Sequence, residues 1–405
     1  MSIINKLICE NDWLEFLNYK INQSNLSKIE QTELENFVNN KTYLPVAEKI
    51  VEGKYLFSVP KKNLINKSGS TKKRAVYTFN ETENYILKFI AYNLYKYDYI
   101  FAPNTYAFRK GRTIKTAFLG LAKLKNINNL YSYKVDISNY FNSININRLL
   151  TKLKTVFYDD EKLFNFFNYF LNIDKAECDG EIISDLNHGV MAGTATSTVL
   201  ANIYLADLDN YFYNNNIIYA RYSDDIIVFS ESLEELEKHK NYILNHLNLV
   251  GLTVNSEKEC LTKPNEKWSF LGFEFFNGNI DLSGVTLKKI KDKIKRKAHS
   301  LYRWKIKNNK SDEAVIKVMI RVFNNKFFKT KNTKDLTWSR WYFPVITETK
   351  SLQIIDKYLV SYLRYLSTGR FTKLNYNVKY ENLKNYGYLS LVNQYYKFKE
   401  GKKEE

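Results

Sequence analysis

Ile217-Ile218-Tyr219-Ala220-Arg221-Tyr222-Ser223-Asp224-Asp225-Ile226-Ile227-Val228-Phe229 is the stretch on which the reading of this chain turns. Two apolar runs flank a short polar corner, which is the pattern of a β-hairpin. Two aspartates stand side by side at that corner. Adjacent carboxylates repel, nothing in folding asks for them, and a cation would relieve the repulsion. An isolated Asp-Asp pair is most often a solvated turn, so the surroundings decide. Upstream, Tyr133-Lys134-Val135-Asp136-Ile137 puts a third acidic residue near the end of a strand expected over Tyr131 to Ile137. Hard divalent ions such as Mg2+ prefer carboxylate oxygens and keep positions open for phosphates. A third carboxylate from a neighbouring strand would complete a two-metal site.

The rest of the chain suits such a site. It has 405 residues, 44% of them hydrophobic, enough for two or three substructures around sizeable cores. Lys and Arg number 61 against 43 Asp and Glu, a formal charge of +18 that favours a polyanionic partner. The three cysteines, Cys9, Cys178 and Cys260, are far apart, which argues against a disulfide framework or zinc site and suits a reducing cytosol. Glu10, Asn11 and Asp12 interrupt any apolar N-terminal signal core, and no stretch approaches the ~18 apolar residues of a membrane span. A cytoplasmic protein without membrane contact is expected.

Residues 1–50 read as short helices. Tyr55-Leu56-Phe57-Ser58-Val59 reads as strand, followed by the polar turn Asn66-Lys67-Ser68-Gly69-Ser70 and the basic run Lys72-Lys73-Arg74, together a basic hairpin. A helix is expected near 81–97 and a long one following the glycines of 189–193, with another strand pair around Gly272. Thr286 is placed to cap a helix whose apolar stripe is Leu287, Ile290, Ile294, Ala298 and Leu301, with lysines and Arg296 on its other faces. Ser351 is placed to cap a later one.

Several segments resemble the reverse transcriptases, in that family's order. Tyr222-Ser223-Asp224-Asp225 looks like its Tyr-x-Asp-Asp box, and Val135-Asp136-Ile137-Ser138-Asn139-Tyr140-Phe141 resembles its first acidic motif. His188-Gly189-Val190-Met191-Ala192-Gly193, with the helix after it, is similar to the Gly-rich segment. Gly251-Leu252-Thr253-Val254-Asn255 with Lys258 resembles the next motif, and Phe270-Leu271-Gly272-Phe273 the primer grip. The resemblance covers roughly Tyr55 to Phe276. It implies an α+β right-hand polymerase with helical N- and C-terminal extensions: a helical extension over 1–50, fingers over 51–130, palm over 131–284, and thumb with C-terminal extension over 285–405.

The site residues follow from the same resemblance. Asp136, Asp224 and Asp225 match the triad that binds two Mg2+ ions, with the Ile137 carbonyl facing a metal. Lys258 matches the lysine that protonates the leaving pyrophosphate. Lys73, Arg74, Phe141 and Gly193 fall where the incoming dNTP is held, Phe141 at the position that excludes a 2′-hydroxyl. Arg221 either fixes the hairpin or contacts nucleic acid. Phe270, Leu271, Gly272, Lys291, Lys295 and Arg296 fall along the template–primer path. One departure stands out: the usual Pro-Gln-Gly is Met191-Ala192-Gly193 here, so Ala192 replaces a glutamine that contacts the nucleotide or template.

Tyr106-Ala107-Phe108-Arg109-Lys110-Gly111-Arg112 resembles bacterial enzymes of the retron and group II intron kinds. Trp338-Ser339-Arg340-Trp341-Tyr342-Phe343 and Thr368-Gly369-Arg370 look like the extensions of defence-associated reverse transcriptases. The expectation is an RNA-directed DNA polymerase working on a dedicated non-coding RNA, with nascent DNA as product and a role in antiphage defence. The alternatives are template-independent or protein-primed synthesis, a retron enzyme, and a catalytically dead RNA-binding scaffold. Three retained carboxylates weigh against the last.

Overall fold

The computed structural model describes residues 2–23, 26–66, 73–328 and 337–401. The polar turn expected at 67–70 and the basic Lys72 lie outside the described residues. The chain forms two compact units, Met1–Asn265 and Glu266–Glu405. Among the described residues, no helix is long and apolar enough to cross a membrane.

The strands of the first unit are β1 (Lys61–Asn66), β2 (Lys73–Thr78), β3 (Tyr131–Asp136), β4 (Lys175–Cys178), β5 (Glu181–Ser184), β6 (Tyr219–Tyr222), β7 (Asp225–Ser230) and β8 (Cys260–Thr262). They make two four-stranded sheets, ordered β2-β1-β4-β5 and β6-β7-β3-β8. The second carries the acidic hairpin. The sheet is largely buried: Val135 on β3, Ala220 on β6 and Ile226, Ile227 and Val228 on β7, the most apolar of its strands, have no exposed surface. The helices Ser197–Tyr204 and Leu233–Leu249 belong to the same unit, and the latter packs on β3 and β7.

Several local expectations shift. Tyr55 to Val59 joins no strand ladder: the buried Glu83 carboxylate accepts from Ser58 N at 2.6 Å and the Tyr55 hydroxyl at 3.0 Å, and Phe57 N donates to the Tyr169 hydroxyl at 3.1 Å. The strand is Lys61–Asn66 instead. The helix expected over 81–97 is α-helical only through Asn93 and continues as a 3-10 helix to Ile100. The helix after the glycines is two helices, Ser197–Tyr204 and Ala206–Asn214, broken at Leu205.

In the second unit, β9 (Trp268–Phe270), β10 (Phe273–Phe276) and β11 (Asn279–Leu282) form an antiparallel sheet ordered β11-β10-β9. Helices Gly284–Lys307, Asp312–Phe327 and Lys350–Thr368 pack together beside it. The compact boundary at 265/266 therefore falls before the residue 284 that the resemblance suggested, since β9–β11 are bonded to the helices after them. Ser283, not Thr286, caps Gly284–Lys307, its Oγ accepting from Thr286 N at 3.3 Å. The Thr286 hydroxyl is drawn off to the Gly272 carbonyl at 2.9 Å. Ser351 likewise caps nothing: its N–H donates to Asp281 on β11 at 3.0 Å, so an acceptor from a neighbouring strand does the work of a side-chain cap. The stripe Ile290, Ile294, Ala298 and Leu301 is buried as expected.

Candidate active site

β3 and β7 run antiparallel with Asp136 paired to Asp225. The two-residue connection Ser223-Asp224 joins β6 to β7 with Tyr222 opposite Asp225. Ser223 adopts φ 61, a left-handed conformation that costs a non-glycine residue some strain and recurs at functional turns. The Asp224 carbonyl accepts from Ile137 N at 3.0 Å, and Asn255 N donates to the Asp136 carbonyl at 2.8 Å. Three backbones thus converge on one end of the sheet and place Asp136, Asp224 and Asp225 together there. Ile137 is buried at the same end.

The charges are unbalanced. Burial, then the neighbouring Asp136, raises the Asp224 carboxyl above the ordinary carboxylate range, against a downward pull from Lys258 and Arg74. Burial and then the charges of Asp224 and Asp136 raise Asp225 to about 7. Asp136 has a close cation: the Lys258 ammonium lies 2.8 Å from both of its oxygens. Among the described residues no three acidic, His or Cys side chains already converge as a metal cage, and the Lys258 grip turns Asp136 to a different partner. The donor set nevertheless fits hard divalent ions: several carboxylate oxygens, crowded and under-neutralised, at one sheet end.

Behind the hairpin lies a charge pair that sequence reasoning did not find. Arg221 and Asp209 have no exposed side-chain surface, with Nε 2.9 Å from Oδ1 and Nη2 2.5 Å from Oδ2. Thr105 and Tyr219 hydroxyls also donate to Asp209, at 2.7 and 2.9 Å. Arg221 Nη1 reaches the Asn202 side chain at 3.2 Å and the Ser223 carbonyl at 3.1 Å. Burial by itself would push the guanidinium's pKa down; Asp209, together with Tyr140 and Tyr219, more than offsets it and the net shift is upward. A fully buried Arg221 has no surface to offer a nucleic acid, so of its two expected roles the hairpin brace is the one it fills. A signal for Asp209 was available: it lies four residues after Leu205 and three before Phe212, a carboxylate on the buried face of a helix.

The Gly-rich segment is pinned between two elements. Val190 N donates to the Phe141 carbonyl at 2.9 Å, and Tyr77 N on β2 donates to the Ala192 carbonyl at 2.7 Å. At Gly193, φ is 109 and a Cβ would stand 2.5 Å from Val76 and 2.8 Å from the Tyr77 carbonyl. Glycine is required there by contact with the basic hairpin, whether or not a nucleotide approaches. Lys73 and Arg74 are exposed on β2. Phe141 is half-buried, its ring edge-on to Phe108 at 6.1 Å between centroids.

The grip residues lie in the second unit. Phe270 is 1% exposed, so its side chain belongs to the core and cannot contact a strand of nucleic acid. Leu271 and Gly272, with φ 51 and 90, form the two-residue turn between β9 and β10. Lys295 and Arg296 are exposed on Gly284–Lys307, while Lys291 is half-buried with its ammonium 4.8 Å from the Tyr358 ring centre.

Residues 59–275 match the family model "Reverse transcriptase (RNA-dependent DNA polymerase)". The chain belongs to the reverse transcriptase family, and its fold class is that family's mixed helix-and-sheet right-hand polymerase fold. Among curated proteins it is similar to the retron Ec86 reverse transcriptase of Escherichia coli, 26% identical over 106 residues, covering 25% of this chain and 33% of that protein. It is also similar to an uncharacterized protein of Acanthamoeba polyphaga mimivirus, 25% identical over 150 residues, covering 35% and 44%. The chain spans less than half the length of these relatives. Among solved structures, an apo telomerase from Candida tropicalis truncated of its C-terminal domain matches with a TM-score of 0.43 and 17% identity over 56% of this chain and 55% of that one.

Proposed function

We propose that the protein is an RNA-directed DNA polymerase. The observation that carries this is the pairing of Asp136 with Asp225, with Asp224 in the adjoining turn, inside a matched reverse transcriptase domain. In this reading Asp136, Asp224, Asp225 and the Ile137 carbonyl hold two Mg2+ ions, and Asp136 exchanges its lysine for an ion. When bound, such ions lower the pKa of the primer 3′-hydroxyl and neutralise the triphosphate.

The remaining residues bind and orient. Lys73 and Arg74 take phosphate oxygens from the β1–β2 hairpin, the side from which Arg74 already acts on Asp224. Phe141, propped by Phe108, closes the space a 2′-hydroxyl would need. Lys258, freed from Asp136, keeps a proton for the departing pyrophosphate. Gly193 holds the Gly-rich segment against β2 and so sets the distance from hairpin to sheet. Leu271 and Gly272 with Lys291, Lys295 and Arg296 steady the template–primer duplex. The first unit then holds fingers and palm with a helical N-terminal extension, and the second the grip, thumb and C-terminal extension.

We read the template as a dedicated non-coding RNA and the setting as antiphage defence in the cytoplasm, in line with the similarity to a retron enzyme and the +18 charge. The test is primer extension with the purified protein, Mg2+ and the four dNTPs on an RNA template annealed to a DNA primer. Extension that follows the template sequence is expected. Product whose sequence ignores the template would replace this reading with template-independent synthesis.

A further inference from the structure

The helix Lys350–Thr368 ends in a loop that is built rather than slack. Gly369 closes the helix at φ 72, and a Cβ there would collide with the Tyr302 ring. The Lys305 ammonium takes the Leu366 and Ser367 carbonyls at 2.9 and 2.7 Å. The buried Asn375 accepts from Thr368 at 2.6 Å and donates to the Arg370 carbonyl at 2.7 Å, fixing the turn that follows.

This rigid loop holds large aromatic residues out in solvent. Phe371 is 60% exposed and Tyr376 is 68% exposed. Between them and the helix runs a groove of about 480 Å3, lined also by Lys357, Arg364 and Lys373. The Arg364 guanidinium lies 4.9 Å from the Tyr376 ring centre. Phe371 leans on Tyr365 at 5.3 Å between centroids, and Tyr365 is stacked on His299 at 5.2 Å. Beyond that stack opens a second groove of about 490 Å3 with Lys295, Arg296 and Arg303. No acidic residue lines either groove, and none of these six cations is in an ion pair among the described residues. Asp356, beside Lys357 in sequence, is occupied by the Tyr388 and Ser390 hydroxyls at 2.8 and 2.7 Å.

Cations without counter-charges beside exposed, rigid rings suit a ligand with a regular row of phosphates and flat faces between them. A paired duplex hides its base faces in its own stack and offers charge and groove edges only. An unpaired strand offers both, and base–aromatic stacking tolerates any sequence. We propose that the Lys357–Tyr376 groove is a subsite for an unpaired polynucleotide strand, Phe371 and Tyr376 stacking bases while Lys357, Arg364 and Lys373 meet phosphates. The site deepens the reading of the chain as an RNA-copying enzyme and rests on it for the identity of the strand: unpaired RNA of the template or newly made single-stranded DNA.

The test measures anisotropy of labelled 12-nucleotide strands, RNA and DNA of one sequence, and of the corresponding blunt RNA duplex, on the full chain at several salt concentrations. Phe371→Ala with Tyr376→Ala is expected to weaken single-strand binding roughly tenfold or more and leave duplex affinity in place. Lys357→Gln with Lys373→Gln, both on the surface, should lower the salt slope for single strands by about 1.4, two phosphates at about 0.7 each. Greater loss with RNA assigns the groove to the template side, greater loss with DNA to the product side, and equal loss to either strand. Wild-type single-strand affinity in the aromatic pair, an equal loss for the duplex, or an unchanged slope in the lysine pair would overturn the proposal. Primer extension by the wild-type protein reads the enzymatic assignment separately, so failure of one does not carry the other.

Discussion

The palm-like sheet carries two charge clusters only a few residues apart, and they are opposites. At the Ser223-Asp224 turn, Asp224 and Asp225 are partly open to solvent and crowd a third carboxylate, with both carboxyls raised by burial and mutual repulsion. Behind the same strand, Arg221 and Asp209 are sealed from solvent, and Thr105, Tyr219 and Asn202 are hydrogen-bonded to the pair. Both clusters carry a desolvation cost. The buried one offsets it internally, with opposite charges and hydroxyl donors. The one at the turn is offset only in part, by Lys258 on Asp136, and a ligand from outside would complete it. In the proposed reading, the under-neutralised charge at the strained turn is the working site, and the compensated charge in the interior is the brace that aims it.

That contrast can be broken at either end. Asp224→Ala with Asp225→Ala should lower nucleotide incorporation at least roughly a thousandfold, the loss of several kcal/mol of barrier. The same protein should keep a melting temperature no lower than wild type, since the removed groups repel each other. Incorporation within about tenfold of wild type would remove the site from the turn. Asp209→Ala should do the reverse and act on stability: it strands a buried guanidinium, and breaking such a pair costs about 3–5 kcal/mol. Denaturant unfolding measures this, and a loss below about 1 kcal/mol would mean that the brace is dispensable.

Smaller effects sharpen the picture. Phe141→Ala should raise rNTP use relative to dNTP by roughly tenfold or more in a competition assay, the scale of a steric pocket change. Phe108→Ala, which removes only the prop, should move the ratio the same way by less. Unchanged discrimination in Phe141→Ala would assign the selection to another group. The smallest effect belongs to Lys291, Lys295 and Arg296 changed together to Gln. The salt slope of template–primer binding should fall by about 0.7–0.9 for each phosphate that no longer meets a cation. Because Lys291 already sits over Tyr358, we expect it to contribute least of the three. A wild-type slope would place the duplex elsewhere.

Much of this site was legible in the sequence because its signals are local. A hairpin corner is set by neighbouring residues, and Asp224-Asp225 between apolar runs announces the turn and the crowding of charge in it. The position of Asp136 at a strand end was equally readable. Helix starts were less so, because Ser283 and Asp281 compete for the roles assigned to Thr286 and Ser351, and the competition is settled by strands that arrive from elsewhere. The burial of Phe270, and the choice between the two roles of Arg221, were not legible for one reason: a motif gives a position along the chain, and burial depends on what packs over it.

By itself, then, the sequence determined the resemblance to the family, the acidic corner Asp224-Asp225, the acidic strand end at Asp136 and the basic character of the chain, which follow from residue type and local motif. Only the tertiary structure decided that Gly193 is a packing glycine against β2, that Arg221 pairs inward with Asp209 twelve residues away, and that Lys258 answers Asp136 across 122 residues. Such pairings are settled by which surfaces come together once the apolar faces are buried. A carboxylate and its cation have no local signature of belonging to one another, because their attraction acts through space and not along the chain.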